Sequence, residues 1–205
     1  MDKYCIVTTI VANLYKKPSF TSELVTQALI KEKLLILDNQ DNWYKVKQWD
    51  SYESWIHKFY IKDLELGSSI GWNKLDINKK SIHELISYAK SFIGTPYLWG
   101  GKSSLGFDCS GLIQTVFKMA GIDMPRDASQ QILRENLYDI DYCDAKTGDL
   151  LFFMEDNYVN HVAIYLGNQE IIHSSGSVKI ENLADNDKLY KKMYKVMSIK
   201  NLFNE

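Results

Sequence analysis

The stretch LGFDCSGLIQTVFKMAG, residues 105–121, sets a polar, glycine-containing turn directly before an amphipathic segment. Gly121 and Pro125 supply signals that end a helix. Cys109 therefore falls in the first turn of a predicted helix, where unpaired backbone N–H groups and the helix dipole favour a thiolate over a thiol. A cysteine that serves only as a small buried apolar residue rarely needs such polar neighbours, so the pattern predicts a nucleophile. The apolar positions at helical spacing are Leu112, Ile113, Val116, Phe117 and Ala120.

A thiolate nucleophile needs an imidazole that accepts and returns its proton, and the chain has four histidines. His57 lies in a β-rich region beside a tryptophan, and His83 lies in the first turn of a predicted helix, so neither is a strong candidate. His161 in VNHVAIYLG and His173 in EIIHSS lie in successive predicted strands. These two histidines are the candidates for a catalytic pair.

The loop between the two strands decides whether the two imidazoles meet. If residues 167–169 form a three-residue loop, Ala163 lies opposite His173, and His161 becomes a diagonal neighbour of His173 within about 7–8 Å. A two-residue loop would place the two histidines on opposite faces of the sheet. We predict the three-residue loop, with His161 as the base toward Cys109 and His173 as the group that orients it.

Two other interpretations of these residues stay open. His161 and His173 could be ordinary sheet histidines. Alternatively, Cys109, His161 and His173 could bind zinc, since a thiolate and two imidazoles are acceptable ligands, although the characteristic spacing of zinc sites and an obvious nearby carboxylate base are lacking.

Composition excludes some classes of partner. The net charge is −2, and the 24 basic residues are scattered among 26 acidic ones, so we expect no nucleic-acid partner. No apolar run approaches the roughly 18–20 residues of a membrane helix, so we expect no membrane partner. The stretch MDKYCIVTTIVANLYKK lacks a basic start and a cleavage site, which favours a strand over a signal peptide. The chain has three cysteines and no C-x-x-C spacing. Together with the expected lack of a signal peptide, this cysteine content predicts a reducing, cytoplasmic location.

The sequence predicts two domains. Residues 1–66 contain short β-type runs separated by turn residues, typical of a small all-β barrel. Residues 67–80 read as a linker, because they contain two serines and two glycines within 67–71 and no sustained periodicity. Residues 81–205 begin with a helix capped by Ser81 and Glu84 and end in predicted antiparallel strands, an α+β layout.

Five segments, in this order, resemble the NlpC/P60 cysteine peptidases: TPYLWGGKSSLGFDCSGLIQTVF, MPRDASQQ, TGDLLFF, NHVAIYLG and IIHSSG. The region upstream resembles a bacterial SH3 domain. The resemblance implies a papain-like α+β fold, no metal or cofactor, and a Cys-His-His triad of Cys109, His161 and His173. It also implies that the Tyr97 hydroxyl points into the site and helps the Cys109 backbone N–H to hold an oxyanion.

The resemblance further implies a substrate. Members cut bacterial murein peptides, usually between γ-D-glutamate and meso-diaminopimelate or lysine. This chain resembles the SH3-bearing, cytoplasmic members that recycle fragments with a free N-terminal L-Ala. In those members the amine is read by groups that correspond here to Glu23, Tyr52 and Asp108, with Ser110 and Ser129 as further contacts; Ala128 is the alternative to Ser129.

Two rival functions stay open. One is an extracellular hydrolase that acts on intact peptidoglycan, with the SH3 region as an anchor. The other is a catalytically silent wall-binding module whose thiol is incidental.

Overall fold

A computed structural model of the chain describes residues 3–64 and 80–203. Within these ranges, the contacts divide the chain into two compact units: residues 3–64 with 99–101, and residues 80–98 with 102–203. Except for Lys80, the predicted linker at 67–80 lies outside the described residues. The predicted domain limits, 1–66 and 81–205, therefore stay predictions.

The first unit is all β, as the sequence predicts. Its strands form an antiparallel sheet in the order β3-β2-β6-β5-β4-β1-β7, and alternate side chains of the strands point into one small core. The apolar run at residues 4–15 is interrupted by a turn at 8–10, so it forms two strands. The strands are β1 (Lys3–Val7), β2 (Val11–Tyr15), β3 (Leu24–Leu29), β4 (Lys33–Gln40), β5 (Trp43–Lys47), β6 (Glu53–His57) and β7 (Ile61–Asp63).

The second unit begins with the predicted helices. In α1, the Ser81 side chain accepts from the backbone N–H of Glu84, and the Glu84 carboxylate accepts from the backbone N–H of Ser81. Asp108 caps α2, which begins at Cys109. The helices are α1 (Ile82–Ser91), α2 (Cys109–Met119), α3 (Ala128–Gln131) and α4 (Asp187–Tyr190).

A six-stranded antiparallel sheet in the order β10-β15-β11-β12-β13-β14 completes this unit. Apolar side chains of α1 and α2 pack with those of β11, β12 and β13 into one core, which confirms the predicted α+β class. Within the described ranges, no helix is both long enough and apolar enough to cross a bilayer. The six strands of this sheet are β10 (Tyr138–Ile140), β11 (Leu150–Glu155), β12 (Tyr158–Gly167), β13 (Glu170–Ser175), β14 (Ser177–Asn182) and β15 (Met193–Ser198). A separate two-stranded sheet pairs β8 (Lys102–Ser103) with β9 (Gly106–Phe107).

The hairpin of β12 and β13 has the predicted register but a different loop. The pairs Ile164–Ile172 and Tyr165–Ile171 match the prediction, whereas Gly167, not Leu166, pairs with Glu170. The loop therefore contains two residues, not three, and the predicted loop is wrong. Leu166 is an extra residue on β12, and this bulge restores the parity that a two-residue loop alone would have reversed.

The core predicts a measurable difference between two leucines of the second unit. Leu112 in α2 is fully buried, whereas Leu133 is exposed. We expect Leu112→Ala to lower the free energy of unfolding by about 2–5 kcal/mol, because it opens a cavity. Leu133→Ala should change it by less than about 0.5 kcal/mol. Urea denaturation of both variants checks this, and equal losses would contradict the described packing.

Candidate active site

The nucleophile candidate lies against the strand that carries His161. Cys109 is the first residue of α2 and only 7% exposed. Its Sγ lies 3.8 Å from the carbonyl oxygen of Asn160, and the backbone N–H of Val162 also hydrogen-bonds the sulfur. Because these two residues flank His161 in β12, the thiol lies against the backbone on either side of that histidine.

His161 and His173 contact each other directly. Nε2 of His161 lies 2.9 Å from Nδ1 of His173, and the ring planes meet at 74°. His173 is 1% exposed, so it cannot exchange this partner for bulk water. One of these two nitrogens must carry a hydrogen and the other a lone pair. If Nε2 of a neutral His161 carries the hydrogen, its Nδ1 has a lone pair and can accept a proton.

Burial shifts the pKa values of the thiol and both imidazoles toward the neutral forms. Burial, with a smaller contribution from Asp108, raises the pKa of Cys109 to about 11. Burial, followed by the neighbouring His173, lowers the pKa of His161 to about 3, and burial also lowers the pKa of His173. The expected thiolate is therefore not the resting form, because desolvation outweighs the backbone N–H groups at the start of α2.

Glu181 is a carboxylate that sequence reasoning missed, and it adds a fourth group to the series Cys109, His161 and His173. Oε2 of Glu181 lies 2.9 Å from Nε2 of His173, on the side away from His161. The oxygen lies off the N–H direction, so the contact is a close ion–dipole contact, not a linear hydrogen bond. Glu181 lies on β14, and only the pairing of β13 with β14 points to it, because no local pattern in the sequence does.

Arg126 is a second residue that sequence reasoning missed. It is 1% exposed, and its guanidinium donates to both carboxylate oxygens of Asp108, at 3.0 and 2.5 Å, and to Ser110 Oγ at 3.0 Å. Asp108 Oδ1 also accepts from the backbone N–H of Gly111 at 2.6 Å. This buried bidentate pair fixes the turn that carries the thiol.

Tyr97 is close enough to Cys109 for the sulfur to affect the pKa of the phenol. Burial, then Cys109 and Asp108, raises the pKa of Tyr97 to about 12, so its hydroxyl is protonated at neutral pH and can donate. The backbone N–H of Tyr97 donates to Gly176 at 2.9 Å, which anchors the loop that carries the phenol. Its role at the oxyanion stays a prediction.

Two known sequence families match parts of this chain. A sequence model described as the NlpC/P60 family matches residues 94–199, slightly more than half of the chain. The chain belongs to the NlpC/P60 family. A second model, described as the bacterial dipeptidyl-peptidase Sh3 domain, matches residues 14–58 in the first unit.

Relatives within the NlpC/P60 family include two proteins named gamma-D-glutamyl-L-lysine dipeptidyl-peptidase. The one from Bacillus cereus is 32% identical over 84% of this chain and 50% of its own length. The one from Bacillus subtilis is 37% identical over 62% of this chain and 43% of its own length. This chain thus spans about half the length of the curated relatives it matches.

Solved structures give the same family. A crystal structure of an NlpC/P60 family protein from Bacillus cereus ATCC 10987 has a TM-score of 0.57 and 29% identity, covering 95% of this chain and 62% of that one. The NlpC/p60 domain of the peptidoglycan hydrolase SagA has a TM-score of 0.51 and 32% identity, covering 58% of this chain and 99% of that one. The papain-like part predicted from the sequence therefore has counterparts of known structure with the same fold.

Within this NlpC/P60 chain, the predicted amine-binding residues are divided between the two units. Glu23 and Tyr52 lie in the first unit, and Asp108, Ser110 and Ser129 lie in the second. Their common role in a pocket stays a prediction.

The two residues of the first unit are held locally. The Glu23 carboxylate accepts from Lys16 at 2.9 Å and from the Trp99 indole N–H at 3.1 Å. The hydrogen bond from Lys16, the larger cause, and that from Trp99 lower the pKa of Glu23, so it is ionised at neutral pH. The backbone N–H of Tyr52 donates to Asp50 at 3.0 Å, which fixes its turn.

Ala128 and Ser129 differ in burial. Ala128 is buried in the core of its unit, whereas the Ser129 hydroxyl lies 3.3 Å from the hydroxyl of Tyr158 at the surface. Ser129 is thus the one of the two whose side chain could reach a ligand.

The zinc interpretation is not supported by the donor atoms. In the described ranges, the ligand atoms of Cys109, His161 and His173 do not come within 4.8 Å of one another as a group. The facing nitrogens of the two histidines are occupied by each other. A metal would need both lone pairs directed to one point.

The lowered pKa of His161 predicts a pH-dependent stability. Unfolded histidine binds a proton below its usual pKa of about 6.5, whereas folded His161 stays neutral down to about 3, so this group's stabilisation is lost as pH falls from about 6.5. We expect the free energy of unfolding to fall by about 2 kcal/mol more between about pH 7 and pH 5 in the wild type than in His161→Asn.

Urea denaturation at the two pH values measures this difference. His83→Asn is the matched control, because His83 is exposed in the first turn of α1 and should leave the wild-type pH difference unchanged. A His161→Asn protein with the full wild-type pH dependence would contradict the assigned burial effect.

Proposed function

We propose that this chain is a cysteine peptidase that cleaves the bond between γ-D-glutamate and a diamino acid, lysine or meso-diaminopimelate, in murein peptides with a free N-terminal L-Ala. The observation that carries the proposal is the arrangement of Cys109 beside His161, with His161 in turn contacting His173. The printed names of the two Bacillus relatives support the glutamyl-lysine bond as the target.

The proposed reaction begins from a neutral pair. His161 accepts the thiol proton as Sγ attacks the γ-carbonyl carbon, which forms a tetrahedral oxyanion. The imidazolium of His161 then gives the proton to the leaving amine as the C–N bond breaks, which leaves an acyl-enzyme. Water, deprotonated by His161, attacks this thioester, and the dipeptide L-Ala-D-Glu leaves as the thiol is restored.

The neighbours of the thiol fit these steps. Attack by a neutral thiol requires a base in contact, because the raised pKa of Cys109 leaves little thiolate at neutral pH. We assign His173 to holding the His161 ring and Tyr97 to donating to the oxyanion, an electrostatic contribution that grows as water is excluded. The protonated phenol of Tyr97 supports that assignment.

Amine recognition is the finer part of the proposal. An ammonium group taken from water requires anionic partners, which Glu23 and Asp108 would supply, with Tyr52 adding a hydrogen-bond acceptor. Ser110 and Ser129 are further proposed contacts. Because Asp108 already pairs with Arg126, a substrate ammonium would share that carboxylate with the guanidinium. Such a substrate, a trimmed murein fragment, also suggests peptide recycling in the cytoplasm.

Mass spectrometry of the products from L-Ala-γ-D-Glu-L-Lys tests the chemistry. We expect release of L-Ala-D-Glu by the wild type, and a loss of kcat/KM of at least about 1,000-fold in Cys109→Ala, because the nucleophile is removed. Cys143→Ala is the matched control, since Cys143 is exposed and should leave turnover unchanged. Wild-type turnover by Cys109→Ala would refute the nucleophile.

The same assay with an N-acetylated peptide tests substrate choice. Cleavage of the free-amine peptide alone supports the proposed amine pocket and the recycling role. Equal cleavage of both peptides, together with activity on purified sacculi, would favour the extracellular hydrolase instead. If the wild type cuts neither peptide and has no activity on purified sacculi, the silent wall-binding module is favoured.

A further inference from the structure

Glu181 is held in a fixed position against His173. On the paired strands β13 and β14, His173 lies opposite Lys179, so Glu181 is its diagonal neighbour on the same face. Oε2 of Glu181 lies 2.9 Å from Nε2 of His173 and 3.3 Å from Nζ of Lys179. The Asn186 side-chain amide donates to Oε1 of Glu181 at 3.2 Å, so both carboxylate oxygens are engaged.

Asn186 is itself oriented by the helix that follows it. Its Oδ1 accepts the backbone N–H of Leu189 at 3.0 Å, so its amide NH₂ group must face Glu181. The carboxylate therefore cannot turn away from His173 without losing its hydrogen bond from the Asn186 amide.

An ionised carboxylate presents only lone pairs, so at 2.9 Å it repels a lone pair on Nε2 of His173 and favours a hydrogen there, even though the contact is not a linear hydrogen bond. Nε2 of His173 then carries the hydrogen, so its Nδ1 has a lone pair. That lone pair faces Nε2 of His161, which must in turn carry a hydrogen. Nδ1 of His161 is left unprotonated and can accept the proton of the Cys109 thiol.

We propose that Glu181 is a positioning residue that selects the Nε2–H tautomer of His173 and, through it, the Nε2–H tautomer of His161. This inference rests on the proposed peptidase function, to which it adds a fourth residue. Without Glu181, His173 can carry its hydrogen on Nδ1 and donate to His161, which then has its own hydrogen on the nitrogen that should serve as the base.

The charged groups around the two imidazoles set the direction in which their pKa values should change. Glu181 and Lys179 face His173 from β14, while His161 faces it from β12 and Cys109 lies at the start of α2. Glu181 raises the pKa values of both histidines, and Lys179 lowers them. Loss of Glu181 should therefore lower the pKa values of the two histidines, and loss of Lys179 should raise them.

Nitrogen-15 NMR of histidine-labelled protein at about pH 7 reads the tautomers without any turnover. We expect His161 and His173 to be Nε2–H forms in the wild type, and an Nδ1–H form of His173 to appear in Glu181→Leu. Asp139→Asn is the matched control, because Asp139 is also paired with a lysine but lies on β10, at the opposite edge of the sheet. Unchanged tautomers in Glu181→Leu, or the same change in the control, would overturn the proposal.

Kinetics supplies a second readout. Glu181→Leu should lower kcat/KM by about 10- to 100-fold, the range for losing a residue that orients an active-site histidine, and Glu181→Asp should restore part of it. If Glu181→Leu does not fold, Glu181→Gln takes its place in both measurements, since its uncharged amide can present either a donor or an acceptor.

The pH profile separates positioning from simple support of the fold. The acidic limb of kcat/KM should move to lower pH in Glu181→Gln and to higher pH in Lys179→Met. Shifts in the same direction, or none, would overturn the proposal. If the wild type does not cut the peptide, the proposed function fails, yet the NMR result still decides the role of Glu181.

Discussion

His161 and His173 can touch only because β12 and β13 pair in one register. Side chains alternate between the two faces of a sheet, so a slip of one residue would carry His173 to the face opposite His161. The bulge at Leu166 maintains this register across a two-residue loop. The same register, continued into β14, brings Glu181 to His173.

A buried ion pair holds the other half of the site. Asp108 and Arg126 lie 18 residues apart in the chain, and the guanidinium engages both oxygens of the carboxylate. Removal of either partner would leave an uncompensated charge inside the protein, which costs more than the pair itself contributes. The start of α2 is thereby fixed to the loop before α3, which constrains the position of Cys109.

Local signals in the sequence were sufficient for α1 and α2, and they selected the two histidines, although the loop between the two strands was predicted wrongly. Ser81 and Glu84 mark the start of α1, and Asp108 marks the start of α2, because caps act within one turn. The loop after β12 was missed because Asn168 and Gln169 both adopt positive φ, at 52° and 65°, which glutamine rarely does.

Residues that depend on distant partners could not be found in this way. Arg126 has no local pattern that marks it as buried, and its partner is defined only by the packing of the loop before α3 on α2. Glu181 depends on a third strand, whose neighbours along the chain give no sign of His173. Likewise, β15 inserts between β10 and β11, an order that alternation within single strands does not specify.

The raised pKa of Cys109 affects how readily its sulfur is oxidised. Peroxides oxidise thiolates, and a neutral, 7% exposed sulfur reacts slowly with them. In the proposed reaction the anion forms only as His161 takes the proton, so the resting thiol offers little thiolate for sulfenic acid formation. Burial at the start of α2 thus lowers the thiolate content of Cys109 as well as placing its sulfur against β12.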